Sequence, residues 1–293
     1  MSITLLDGGM GQELVARSND EPTGLWATQI LLDKPALVRS VHDDYFAAGA
    51  DIATTNTYAV HRDRLVRHDI ESQFEALHKA ACEIAVASRD AHGSGQVAGS
   101  LGPTGWSYRP DIAPPADIAA EIYAEIARLQ APFVDLFICE TMSSVDQARG
   151  ALLGAQTQQK PVWLAVSVSD EDGTKLRSGE PLVDILPLVA ELKPDALLLN
   201  CALPEAFDQA MPTLAGCSIP MGGYANGFTK ILPEFTQKGA TVAALEKRSD
   251  LDPQKYADFV DKWVAQGASI VGGCCEVGPD HIREMARRLK ALR

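Results

Sequence analysis

Short apolar or β-branched runs alternate with longer amphipathic stretches from one end of this chain to the other, and no other feature restricts its folding as much. A strand needs about five such residues, a helix needs an apolar stripe every three to four, and their alternation is the pattern of βα units. Eight strand candidates recur: ITLLD (3–7), DIATTN (51–56), QVAGS (96–100), DLFICE (135–140), VWLAVSV (162–168), ALLLNC (196–201), PMGGY (220–224) and SIVGGC (269–274). The stretches between them read as helices. PALVRSVHDDYFAAG (35–49) opens on Pro35 and closes on Gly49, proline suiting a first helical turn and glycine a C-terminal cap. QFEALHKAACEIAVASRD places Phe74, Leu77, Ala81, Ile84 and Ala85 on one face. Pro187 in LVDILPLVAEL should kink or delay its helix. The last helix is expected in PDHIREMARRLKAL.

Several of these strands are apolar throughout, as parallel strands buried on both faces are. Eight of them in under 300 residues predict an α/β (β/α)8 TIM barrel. A doubly wound sheet is the alternative, but no G-x-G-x-x-G follows the first strand; DGGMGQE spaces its glycines differently. No linker or low-complexity tract divides the chain, so residues 1–293 are expected to form a single domain. The longest irregular segments, 14–33, 101–116 and 225–252, each follow a strand end, where barrel loops carry function.

Composition removes several classes of function. A net charge of −13 leaves no basic face for a nucleic-acid backbone. No apolar run nears the roughly 20 residues that span a bilayer, and the opening MSITLLDGGMGQEL carries no basic leader, so no membrane partner and a cytoplasmic location are expected. The six cysteines are too sparse and irregular for a secreted disulfide framework; thiols or metal ligands are expected instead. None of the six histidines ends a strand or forms H-x-H or H-E-x-x-H, which disfavours a histidine-and-carboxylate metallohydrolase, and no G-x-S-x-G is present.

Barrel chemistry sits at the C-terminal ends of strands. Those ends carry Asp7, then Thr55, Asn56 and Tyr58, then Glu140, then Asn200 and Cys201, and finally Cys274 and Cys275. Three thiols from two strands would face one mouth. Three thiolates suit a tetrahedral zinc whose fourth position is left for substrate, a centre better fitted to holding a sulfur nucleophile than to polarising a carbonyl. Neighbours on a strand point to opposite faces, so Cys274 and Cys275 can act together only if the backbone turns, which Gly272 and Gly273 would permit. The plainer reading makes the vicinal pair buried small residues or redox-active thiols. Cys82, in a helix pattern, Cys139, facing away from Glu140, and Cys217, in a loop, are expected to be packed or free thiols.

LLDGGMGQEL, LWA (25–27), VHDDYFAAGADIATTNTY (41–58), AGSLGP (98–103), CETM (139–142), LLNC (198–201) and GGCCEVGPDHI (272–282) occur in an order that resembles the homocysteine S-methyltransferase family over nearly the whole chain. The resemblance implies a zinc-dependent barrel that moves a methyl group from a cationic sulfonium or ammonium donor to the thiol of homocysteine, giving methionine. It assigns Zn2+ to Cys201, Cys274 and Cys275, the homocysteine amino group to Asp7 and Glu140, and the substrate carboxylate to backbone amides near Gly8 and Gly9. Asn200 would support the site by hydrogen bonding, and Trp26 and Tyr58 would lie near the donor. The partners implied are small molecules only, and oligomeric state is not legible. S-methylmethionine is favoured over S-adenosylmethionine, betaine or dimethylsulfoniopropionate, since the chain lacks the length for cobalamin and folate modules and a long C-terminal arm. The loops GPTGWSYRPDIAPP and YANGFTK depart from the family's usual residues, which leaves the donor open and admits an acceptor such as selenohomocysteine. A thiol-based redox barrel, or one that binds zinc and an amino acid without methyl transfer, is the alternative.

Overall fold

A computed structural model describes residues 3–231 and 241–290. The expected irregular segment 225–252 and the last helix therefore lie partly outside the described residues.

β1 (Thr4–Leu5) leads into α1 (Met10–Ser18), α2 (Ala27–Asp33) and α3 (Pro35–Ala48) before β2 (Ile52–Thr54). Then follow α4 (Arg62–Val66), α5 (Phe74–His92), β3 (Gln96–Leu101), α6 (Ala116–Gln130), β4 (Leu136–Met142) and α7 (Val145–Ala155). The second half runs β5 (Val162–Val166), α8 (Ile185–Leu192), β6 (Ala196–Asn200), α9 (Pro204–Leu214), β7 (Met221–Tyr224), α10 (Pro253–Ala265), β8 (Ile270–Val271) and α11 (Pro279–Lys290). All eight strands are parallel, in the order β1-β8-β7-β6-β5-β4-β3-β2, and a parallel bridge between Leu6 and Ile52 joins the two ends. This is the (β/α)8 barrel that the alternation predicts.

Side-chain alternation sorts the core into two layers. Leu6, Ile52, Ala98, Ile138, Leu198 and Ile270 fill the barrel interior. Their neighbours Leu5, Val97, Phe137, Cys139, Leu197 and Leu199 pack outward against the helices. Pro187 falls in the first turn of α8, which a 3-10 turn at Leu182–Asp184 precedes, so the proline delays the helix without breaking it.

Several elements differ from expectation at their edges. The candidates DIATTN, DLFICE and ALLLNC each follow or begin with an aspartate that lies just ahead of its strand. Asp51 accepts the Leu5 N–H at 2.8 Å, Asp135 the Val97 N–H at 2.7 Å and Asp195 the Val162 N–H at 2.8 Å. Each carboxylate thus ties the start of an even strand to the odd strand before it. The segment 14–33, expected to be irregular, holds the end of α1 and all of α2.

Candidate metal centre and substrate cavity

The C-terminal ends of the strands open into a cavity of about 1150 Å³, counting the space open to solvent at its mouth. Asp7, Gly8, Gly9, Trp26, Tyr58, Glu140, Asn200, Cys201, Cys274 and Cys275 all line it, so every residue singled out in the sequence reaches one place. Cys82, Cys139 and Cys217 do not.

The three sulfurs of Cys201, Cys274 and Cys275 lie within 4.8 Å of one another. On β6, Ala196, Leu198 and Asn200 point inward, so Cys201 should point out. Its left-handed backbone, at φ 50°, turns it in beside Asn200. The Cys201 carbonyl accepts from Arg177 Nη2 at 2.9 Å and Ser167 Oγ at 3.2 Å, and Arg177 in turn pairs with the buried Asp170. The vicinal cysteines turn differently from the expectation. Neither Gly272 nor Gly273 has a positive φ; the reversal comes after Cys274, where Val277 N–H returns to the Cys274 carbonyl at 3.1 Å and Glu276 takes φ 64°. What the glycines provide is room: a Cβ on Gly273 would stand 2.1 Å from Val277 Cγ1, and one on Gly9 would stand 2.5 Å from the Cys274 carbonyl oxygen.

The Cα atoms of Cys201 and Cys274 stand 5.9 Å apart. The convergence that would suit a metal also brings two sulfurs into bonding range, and since both uses draw on the same sulfur electrons they are exclusive states of one site. Burial pushes the Cys275 thiol up to about 12, with Glu276 adding to the effect. Three cysteine sulfurs and no histidine form a soft donor set, which fits zinc and leaves a fourth position open.

Across the cavity are two buried acids. Asp7 accepts from the Thr54 N–H at 2.7 Å and the Thr54 hydroxyl at 3.2 Å. Glu140 accepts from the Ser100 hydroxyl and from the Tyr224 hydroxyl at 2.9 Å. Burial holds both carboxyls above the usual range, and for Asp7 repulsion from Glu140 adds to it. Two acids that raise each other's proton affinity are relieved by a cation between them. The Gly9 N–H already donates to Val277 O at 3.0 Å, so of the two amides expected to meet a carboxylate only that of Gly8 lacks a partner among the described residues. Asn200 is engaged at both ends of its amide by Thr141, which braces β6 against β4. Trp26 and Tyr58 meet edge to face at 6.0 Å, and Trp26 fits because Gly11 offers no side chain to its ring.

Thr54, Ser100 and Tyr224 were not anticipated, although each lies on the strand-end rule once β2, β3 and β7 are treated like the others. Trp106, Ser107 and Tyr108 of the loop after β3 also line the cavity, and Tyr58 bonds Ser107 at 2.9 Å. Arg64 joins them with no sequence signal to mark it.

The family model described as homocysteine S-methyltransferase matches residues 4–289. A homocysteine S-methyltransferase of Escherichia coli is 30% identical over alignments covering 98% of this chain and 95% of its own. Homocysteine S-methyltransferase YbgG of Bacillus subtilis is 27% identical, with 99% and 96% covered. Among solved structures, the metallated form of the homocysteine methyltransferase MmuM of Escherichia coli superposes with a TM-score of 0.81 at 27% identity, covering 98% of this chain and 96% of that one. No helix among the described residues is long and apolar enough to cross a membrane.

Proposed function

The chain belongs to the homocysteine S-methyltransferase family, and from that premise we propose that it methylates homocysteine with a cationic sulfonium or ammonium donor in a zinc-dependent reaction, S-methylmethionine being the first donor to try. The observation that carries this reading is the meeting of three cysteine sulfurs within 4.8 Å at the mouth of the barrel. Cys201, Cys274 and Cys275 would hold the zinc, which when bound supplies a Lewis acid that keeps the homocysteine sulfur ionised at neutral pH.

The chain's own residues then orient the reactants. Asp7 and Glu140 take the homocysteine ammonium, which cancels their mutual repulsion, and the Gly8 N–H is in place for the carboxylate on the same carbon. The faces of Trp26 and Tyr58 attract the cationic donor. Methyl transfer forms one S–C bond as the donor's S–C or N–C bond breaks, and the donor leaves neutral. Charge is therefore cancelled in the transition state, a change that a dry and net-negative cavity favours, while alignment supplies the rest. No proton donor is needed.

The test is methionine formation from homocysteine with S-methylmethionine, S-adenosylmethionine, betaine and dimethylsulfoniopropionate in turn, on protein kept reduced so that Cys201 and Cys274 are apart. About one zinc per chain, lost together with activity in Cys275→Ser, is the expected companion result. Full activity in a zinc-free Cys275→Ser protein would remove the metal from the proposal.

A further inference from the structure

Arg64 is the only Lys, Arg or His among the described residues that line the cavity, and the chemistry above gives it nothing to do. It sits on α4, 6% exposed, with its guanidinium 4.9 Å from the centre of the Trp106 ring. Its Nε and Nη2 are both buried without a hydrogen-bond partner. The fold does saturate Arg177, whose side chain is 10% exposed: it bonds Asp170, Ser167 and the Cys201 carbonyl. A guanidinium withdrawn from water with open donors is unfavourable until an anion reaches it, and burial works against its charge here.

Among the described residues no carboxylate bonds the Arg64 Nε or Nη2. Tyr58 and Asp63 favour its charge while Arg67 opposes it, and burial outweighs them. Arg64, on α4, and the two acids, Asp7 just after β1 and Glu140 on β4, are carried into the cavity by different elements. A homocysteine held by those acids carries its carboxylate on the same carbon as its ammonium, so that carboxylate stays beside them. The anion left for Arg64 belongs to the second substrate.

We propose that Arg64 receives a carboxylate on the methyl donor, so that the site selects zwitterionic donors with an onium centre toward Trp26 and Tyr58 and an acid group toward Arg64 and Trp106. This rests on the methyl-transfer reading of the cavity. Guanidinium and carboxylate match as paired donors and acceptors, and the Trp106 face fixes the plane in which they meet. Arg64 takes no part in bond making; it positions the donor.

Binding is read without turnover, from the fluorescence of Trp26 and Trp106 as dimethylsulfoniopropionate or trimethylsulfonium is titrated into reduced protein. The wild type should bind the carboxylate-bearing sulfonium about 10- to 100-fold more tightly than the carboxylate-free one. Arg64→Gln should abolish that ratio and Arg64→Lys should keep part of it, with homocysteine binding unchanged in both. Because each ratio is measured on one preparation, incomplete folding of a variant does not alter it. A ratio that survives in Arg64→Gln overturns the proposal, as does a variant that weakens homocysteine in place of the donor. Failure of the wild type to form methionine from any donor counts against the methyl-transfer reading, while the binding ratio still decides the role of Arg64.

Discussion

Asp7 and Glu140 show how single residues tune this site. Both carboxyls are raised by burial, so the folded protein takes up protons at these positions more readily than the unfolded chain does. Their effect on stability is therefore favourable at low pH and is lost as pH rises through the raised folded pKa values. Asp7→Asn is expected to make the ligand-free protein more heat-stable at neutral pH, by about 2–4 °C for each kcal/mol of relieved repulsion, and to flatten that pH dependence. The same change should weaken homocysteine by removing a charge from its ammonium. For the wild type, kcat/KM for homocysteine should fall on acidification with a midpoint above the usual carboxylate range, about 4. A calorimetric scan of Asp7→Asn that showed lower stability at pH 7 would contradict this. Arg177 is the other informative residue, since it holds the carbonyl of left-handed Cys201. A lysine cannot reproduce its fork, so Arg177→Lys should lower zinc affinity about 10- to 100-fold, measured by competition with a chromogenic chelator. An unchanged affinity would separate the clasp from the metal.

At the level of elements, the periodic segments were legible and the short ones were not. α5, with its long apolar face, follows its sequence pattern to within two residues at its C-terminal end. α2 and α4 have seven and five residues, too few for a helical period to emerge, and they hold their form through tertiary packing. β8 extends over only Ile270–Val271 because Gly272 and Gly273 leave the ladder to pass close to Leu6 and Val277. The strand-foot aspartates carry a prediction of their own. Asp195→Ala should cost about 1.5–3 kcal/mol by leaving the Val162 N–H without its charged acceptor, seen as a lower denaturant midpoint. Catalysis should not change, because Asp195 lies at the end of the barrel opposite the cavity. A drop in kcat with stability intact would show that the two ends are coupled.

For the molecule as a whole, the two apolar layers extend around the barrel, whereas the cysteine site occupies one rim. Chelation of bound zinc should therefore abolish methyl transfer yet leave the far-UV circular dichroism unchanged, and shift the melting temperature only by the linkage of metal to the folded state. Unfolding on chelation would mean that the rim organises the barrel. The sequence by itself determined the barrel, because βα alternation reports which faces must be buried, and it determined that Asp7, Glu140, Asn200, Cys201, Cys274 and Cys275 would meet, because a parallel barrel brings its strand ends to one mouth whatever lies between them. It could not say which neighbouring side chains share a face where the backbone leaves regular alternation. Left-handed Cys201, the turn after Cys274 and the arrival of Arg64 over Trp106 depend on contacts between segments far apart in the chain. Only the tertiary structure decided those, because a local pattern carries no record of the packing that stabilises an irregular backbone or buries an unpaired charge.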